Sequence, residues 1–146
     1  MSDEEADYQI KPELTSEDLN DLFARVWDDH VPTDLSRVIK SSLTYVCAYL
    51  GEKLIGYVNI AWDGGEHAFL LDTAVDREYR RRGIGRALIR IAVDATRAQG
   101  LKWIHVDFEE HLEGFYRDAG FHPTLAGLIR LRDQVNVSSP IDAPSG

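Results

Sequence analysis

The sequence predicts an α/β fold, with a central mixed sheet of about six to seven strands flanked by about four helices. Three observations predict it. Strand-like runs crowd between Thr44 and Val75, set apart by turn signals at Gly51-Glu52-Lys53 and Asp63-Gly64-Gly65. A long segment after Gly83 carries apolar residues at helical spacing. A further strand-like run, Trp103 to Phe108, follows that helix, so the strands on either side of it form a β-α-β crossover and run parallel.

The elements follow in chain order. Tyr8 to Lys11 reads as a short first strand ended by Pro12. Thr15 followed by Asp18 resembles a capping box, and the helix after it places Leu19, Leu22, Phe23, Val26 and Trp27 on one apolar face. A second short helix is expected from about Leu35 to Leu43. Thr44 to Leu50 and Leu54 to Trp62 are the next strands, and His67 to Val75 is the third of this group. Its run Ala68-Phe69-Leu70-Leu71 is continuously apolar, as in a strand covered on both faces. The long helix shows Ile84, Leu88, Ile91, Ala92 and Ala95 on one side and ends near Gly100. A short helix from about Leu112 to Ala119 stops at Gly120, and Phe121 to Thr124 and Leu128 to Arg132 read as closing strands. Residues 1–132 form one domain, and 133–146 a tail rich in Ser, Pro and Gly.

Composition narrows the class of function. A chain of 146 residues with 44% hydrophobic content can bury one core. Its net charge of −9 disfavours nucleic acid and anionic membranes as partners and suits a cationic one. Cys47, the one cysteine, lies in an apolar run and reads as a small core residue. No apolar stretch reaches the roughly 20 residues of a membrane helix, and no signal peptide is visible, so a cytoplasmic location is expected.

The charge is unevenly placed. From Arg77 to Lys102 there are eight cations and two anions, a net charge of +6 that leaves −15 for the remainder. This basic island surrounds Arg80-Arg81-Arg82-Gly83-Ile84-Gly85, between a strand and a long helix. A helix N-terminus offers unpaired N–H groups and the positive end of its dipole, and glycines let an anion approach the backbone. The segment is therefore a candidate phosphate cradle. It is not a Walker A loop, because Arg86-Ala87 follows Gly85 where Lys and Ser or Thr are needed. Nor is it a dinucleotide fingerprint, because Leu88 stands where a small residue is needed.

The pattern Arg/Gln-x-x-Gly-x-Gly/Ala, within the longer string Leu71-Asp72-Thr73-Ala74-Val75-Asp76-Arg77-Glu78-Tyr79-Arg80 to Leu88, resembles the cofactor motif of the GNAT superfamily of N-acetyltransferases. The order of elements from about Tyr8 to Arg132 is similar to the whole family fold. The resemblance implies acetyl-CoA as co-substrate: the backbone at Ala74 and Val75 would pair with its pantetheine arm, and Arg80, Arg81, Arg82, Gly83, Ile84, Gly85 and Arg86 would hold its pyrophosphate. Phe115-Tyr116-Arg117-Asp118-Ala119-Gly120-Phe121 resembles a second family segment, which implies that Tyr116 protonates the departing thiolate. A phenol is neutral near pH 7 and can donate a proton. Where the family often has Asn, this chain has Glu109, which could face the substrate instead.

The reaction implied is direct attack of a primary amine on the thioester in a ternary complex, with the amide of Val75 polarising the carbonyl. An alkylammonium must first lose a proton. Asp72, Asp107, Glu109, Glu110 and His111 are the candidate acceptors, with Asp107 and Glu109 foremost and Asp72 read as a structural hydrogen-bond former. The five histidines show no metal-ligand spacing, and no metal is expected. The acceptor is a small-molecule or peptide amine, read by Val26 to Val38 and the hairpin at Ala61 to Glu66, where Trp27, Asp28, Asp29, Trp62 and Asp63 could line an acidic, aromatic site; the phase of Trp27 favours the core. A homodimer is one assembly the chain could form. A non-catalytic acetyl-CoA sensor is the alternative.

Overall fold

The computed structural model describes residues 5–132; the expected tail, 133–146, lies outside the described residues. Two compact units are distinguished, Met1–His105 and Val106–Gly146.

The first unit holds the sheet. Its elements are β1 (Asp7–Ile10), α1 (Ser16–Val26), α2 (Ser36–Ser41), β2 (Thr44–Leu50), β3 (Lys53–Trp62), β4 (His67–Val75), a 3₁₀ turn (Arg77–Tyr79), α3 (Ile84–Ala98) and β5 (Trp103–His105). The strands lie in the order β1-β2-β3-β4-β5. Neighbours are antiparallel up to β4, and β4–β5 is parallel, with α3 as the crossover. The mixed α/β sheet is as expected, with five strands among the described residues.

The two sheet faces are set by the cross-strand register. Val46 opposes Val58, and Ala48 opposes Gly56. This face receives α3, whose buried residues are Ile84, Leu88, Ile89, Ala92 and Thr96. A Cβ added at Gly56 would lie 3.0 Å from Leu88 Cδ1 and 3.2 Å from Ile84 Cγ2, so glycine is what allows the helix this close. On the opposite face Cys47 opposes Tyr57, which opposes Ala74. These residues join Leu19, Leu22, Phe23 and Val26 of α1 in one core cluster. The α1 start is the expected capping box: Thr15 Oγ1 accepts from the Asp18 N–H at 3.0 Å, and the Asp18 carboxylate accepts from the Thr15 N–H at 3.4 Å. Cys47 is fully buried, and burial pushes its thiol up to about 12, consistent with a core role.

Several expectations are revised. The buried side of α3 includes Ile89 and Thr96, whereas Ile91 and Ala95 are only half-buried. In β4, Ala68 and Leu70 are buried, but Phe69 is half-buried and Leu71 is 38% exposed. Only the face toward α3 is fully covered there, because α1 packs over Ala74, farther along the strand. Trp27 is the C-cap of α1 and is 37% exposed, its ring tilted against Phe23 at 4.9 Å, because the chain leaves helical geometry at that residue.

In the second unit the described elements are a 3₁₀ turn (Glu110–Leu112) and α4 (Glu113–Asp118). The strand expected from Trp103 to Phe108 stops at His105. The closing strands expected at Phe121–Thr124 and Leu128–Arg132 are not formed. Pro123 supplies no backbone donor, and Leu125, Ile129 and Leu131 are largely exposed. The end of α4 is a Schellman cap. Gly120 is left-handed at φ 106°, the Phe121 N–H donates to the Tyr116 carbonyl at 3.0 Å, and the Gly120 N–H donates to Arg117 at 2.9 Å.

Candidate functional site

The glycine loop joins β4 to α3. Asp76 begins it and is 2% exposed. Its carboxylate accepts from the Glu78 N–H at 2.9 Å and from Arg25 Nε at 2.7 Å, with Lys53 Nζ at 4.0 Å. Burial opposes its charge, but these donors outweigh burial and hold its carboxyl below the usual range. Arg25 also donates to the Leu54 carbonyl at 2.6 Å, and Arg77 reaches the Val26 carbonyl at 3.2 Å and Asp28 at 2.7 Å. The loop entry is thus clamped to β3 and α1, an arrangement that the sequence did not suggest, because its partners lie far apart in the chain.

Beyond the clamp the backbone is contorted. Arg81 has φ 67° and Gly83 has φ 80°, both left-handed. A left-handed arginine costs about 1–2 kcal/mol relative to the right-handed region, and such strain concentrates at functional sites. Gly83 is the N-cap of α3 and supplies no side-chain cap, so the first amides of a 15-residue helix have no side-chain acceptor there. A Cβ at Gly83 would meet nothing within 4 Å, so the space beside the loop is open. At Gly85 it would meet only Val75 Cγ2, at 3.7 Å. Arg80, Arg81, Arg82 and Arg86 are exposed around this turn, and Arg80 Nε donates to the Val75 carbonyl at 3.3 Å. The Tyr79 ring is approached by Arg82 at 5.2 Å and by Lys53 at 5.4 Å.

The edge of β4 leads to this loop. Its pairing with β5 runs only from His67 to Phe69, whereas β4 continues to Val75. The Asp76 N–H donates to Ile55 on β3 at 2.8 Å. Backbone groups alternate along a strand, so the Val75 N–H points to the other edge, where β4 has no strand partner among the described residues. Ala74 is buried against the α1 face. Ala74, Val75 and residues 80–86 are therefore brought into one continuous stretch.

A β-bulge interrupts β4 on the way. Tyr57 pairs with Ala74 and Asn59 with Leu71, so Val58 faces both Asp72 and Thr73. Asp72 takes the left-handed turn, at φ 58°. It is exposed, and its carboxyl is nevertheless desolvated enough to be raised above the ordinary value. The structural hydrogen bond expected for it is not found among the described residues. The Tyr57 hydroxyl and Thr73 Oγ1 are buried and have no hydrogen-bond partner among the described residues.

The other predicted residues fall in the second unit. Tyr116 sits among the rings of Phe108 at 4.9 Å, Phe115 at 5.1 Å and Phe121 at 5.9 Å. Its contact with Phe121 is the apolar contact that accompanies the helix cap. Asp107 is exposed, and Glu109 stands at the N-cap position of the 3₁₀ turn without a side-chain cap, its carboxylate 3.5 Å from His111 Nδ1. Asp63, expected on an acidic recognition surface, accepts from the Gly65 N–H at 2.7 Å and the His67 N–H at 3.3 Å and thereby shapes its turn. Trp62 is 41% exposed. No group of three or more metal-binding side chains occurs among the described residues. Sequence reading also missed a histidine pair: His67 Nδ1 and His105 Nε2 are 2.9 Å apart across β4 and β5, with Phe69 stacked on His105 at 4.8 Å.

A mixed sheet with a parallel crossover, and a basic loop with left-handed residues opening the crossover helix, define the architecture of this α/β protein. The chain belongs to the acetyltransferase (GNAT) family, whose model matches residues 8–121. Mycothiol acetyltransferase from Rhodococcus erythropolis is 29% identical over 94 residues, covering 64% of this chain and 29% of that protein. The chain thus spans less than a third of that relative. A GNAT-family acetyltransferase from Streptococcus pneumoniae superposes with a TM-score of 0.73 at 23% identity, covering 88% of this chain and 99% of that one. A GNAT-family N-acetyltransferase from Escherichia coli, solved in complex with CoA, gives 0.67 at 19% identity, covering 84% and 71%. At these identities the likeness concerns the fold. No helix among the described residues is long and apolar enough to cross a membrane.

Proposed function

We propose that the chain is an N-acetyltransferase that moves the acetyl group of acetyl-CoA to a primary amine by direct attack in a ternary complex. The observation that carries this reading is the loop at the start of α3: two left-handed residues, an N-cap without a side-chain acceptor, open space beside Gly83 and four exposed arginines. Such a loop suits a pyrophosphate, and the CoA bound to the Escherichia coli family member supports that ligand. The amides and arginines of residues 80–86 hold the diphosphate. The outward backbone of Val75, with Ala74 beside it, pairs with the pantetheine arm, and the Val75 N–H polarises the thioester carbonyl. The co-substrate supplies an activated acetyl group, so the chain's task is positioning, proton uptake from the amine and proton delivery to the leaving thiolate. Tyr116 is assigned the last step, and Asp107 and Glu109 are candidates for the proton uptake.

The test is thiol release from acetyl-CoA over a panel of primary amines, with the parent and Tyr116→Phe. Amine-dependent release is expected, lowered by roughly 10²-fold in the variant if its hydroxyl is the acid. If acetyl-CoA binds and no amine raises release above hydrolysis, the chain is a sensor of acetyl-CoA and the transferase reading fails.

A further inference from the structure

His67 and His105 are brought together by strand register rather than by sequence. They stand 38 positions apart, so no spacing along the chain announces them. In the parallel pairing of β4 with β5, His67 lies opposite Trp103 and Phe69 opposite His105. Side chains alternate along a strand, so all four share one face of the sheet, with the two histidines diagonal to one another. Nδ1 of His67 and Nε2 of His105 are 2.9 Å apart, with the rings inclined by 34°.

Both residues are held in place from the other side. Phe69 stacks on His105 with centroids 4.8 Å apart. The His67 N–H donates to Asp63 Oδ1 at 3.3 Å, and the His67 carbonyl accepts from the Asp63 N–H at 3.1 Å. The Trp103 N–H donates to the Glu66 carbonyl at 3.0 Å and fixes the start of β5. Solvent still reaches the pair, because His67 is half-buried and His105 is exposed. Asp63 and Glu66 bring two carboxylates to this end of the sheet, against the Lys102 ammonium over the Trp103 ring at 6.0 Å. The Gly65 N–H chiefly, and then the His67 N–H and the His67 ring charge, hold the Asp63 carboxyl below its ordinary range, so it stays anionic near that ring.

We propose that His67 and His105 together bind a divalent first-row transition ion, Zn²⁺ foremost, through two imidazole nitrogens. Imidazole suits Zn²⁺, Cu²⁺ and Ni²⁺, whereas Mg²⁺ prefers oxygen. On a tetrahedral ion with Zn–N bonds of about 2.0–2.1 Å, two ligand nitrogens stand about 3.3 Å apart. The pair therefore has to open by roughly 0.4 Å, which a small turn of the exposed His105 ring supplies. As it stands, the contact is a hydrogen bond between two neutral rings. On binding, the hydrogen between the facing nitrogens is transferred to the far nitrogen of its own ring. His67 Nδ1 and His105 Nε2 then both present a lone pair, and no net proton is released. Solvent water fills the remaining positions, and the anionic Asp63 favours the cation from outside its ligand shell. The ion would tie β5 to β4 at the last rung of a pairing only three residues long.

The test uses the full chain without an affinity tag, stripped with chelator and titrated calorimetrically at pH 7.5 with ZnCl₂ and, separately, MgCl₂. The parent should bind one Zn²⁺ and no Mg²⁺. Loss of an outer-shell partner already costs about 10–100-fold in metal affinity, so His67→Gln and His105→Gln should each weaken Zn²⁺ binding by at least about tenfold. His122→Gln should stay within about twofold of the parent. The parent gives a second reading that needs no variant. In imidazole nitrogen NMR spectra, Zn²⁺ should shift the His67 and His105 rings together and leave His30, whose Nε2 lies 2.8 Å from Asn20 Oδ1, unmoved. If a variant fails to fold, these ring shifts decide. No Zn²⁺ binding by the parent, parental affinity in either His67→Gln or His105→Gln, or ring shifts confined to one of the two histidines overturns the site. None of these outcomes bears on the acetyltransferase reading, which rests on the loop before α3.

Discussion

Gly83 and Asp76 show how single residues shape the loop. Gly83 needs a left-handed backbone and leaves open space where a side chain would point. Asp is among the residues that tolerate this conformation, so Gly83→Asp should fold with a loss of about 1 kcal/mol. Its carboxylate would stand where the diphosphate is proposed to lie. Calorimetry should then show no acetyl-CoA binding, with a far-UV spectrum unchanged from the parent; unchanged affinity would remove the cradle assignment. Asp76 acts on the protein side of the loop, as the acceptor for Arg25 and the Glu78 N–H. Asp76→Asn should cost about 1–3 kcal/mol in denaturant unfolding. Its folded pKa lies below the ordinary value, so its stabilisation is fully present above about pH 4 and is lost as the pH falls through the depressed value. The gap between parent and variant should therefore narrow in acid and stay constant from pH 5 to 7.

At the level of elements, the contact between α3 and the sheet is set by Gly56. A methyl there would lie 3.0 Å from Leu88 Cδ1, 3.2 Å from Ile84 Cγ2 and 3.3 Å from Ala48 Cβ. Gly56→Ala should cost about 1–3 kcal/mol by overpacking. Because Ile84 is the first residue of α3, the same change should also loosen acetyl-CoA binding, whereas Leu88→Ala in a Gly56→Ala background should recover part of the stability. An unchanged melting temperature in Gly56→Ala would show that the helix shifts freely. The second family segment has a clear account at this scale: Gly120 and Phe121 form the helix cap, and Phe121 packs on Tyr116. That explains the glycine and the phenylalanine without reference to catalysis and leaves the Tyr116 hydroxyl as the part that the kinetic test addresses.

Across the whole molecule, charge is divided. The chain carries −9 overall while residues 77–102 carry +6. An acidic remainder favours cationic ligands by long-range steering, and the basic island favours anionic ones. Screening acts over about 10 Å at 0.1 M salt. Acetyl-CoA affinity should thus weaken several-fold between about 0.05 and 0.5 M NaCl, and affinity for a cationic acceptor should weaken as well; a salt-independent donor affinity would argue against the arginines as its main contacts.

The sequence by itself determined the elements that local chemistry controls. The capping box at Thr15 and Asp18, the turn at Gly51, the span of β4 and the start of α3 at Ile84 all follow from neighbours a few residues apart. The basic glycine loop was legible for the same reason, since the groups proposed to hold a phosphate are contiguous backbone amides. Only the tertiary structure decided features that depend on pairing between distant segments. The Arg25–Asp76 clamp, the bulge that turns Asp72 left-handed against Val58, the orphaned hydroxyls of Tyr57 and Thr73, and the open side of Phe69 and Leu71 arise from register between strands and from where α1 ends. The expected closing strands failed on the same ground, because β propensity forms a strand only where a partner edge is available. The glycine loop is therefore written in one stretch of chain, whereas the bulge at Asp72 and Thr73 depends on the register between β3 and β4.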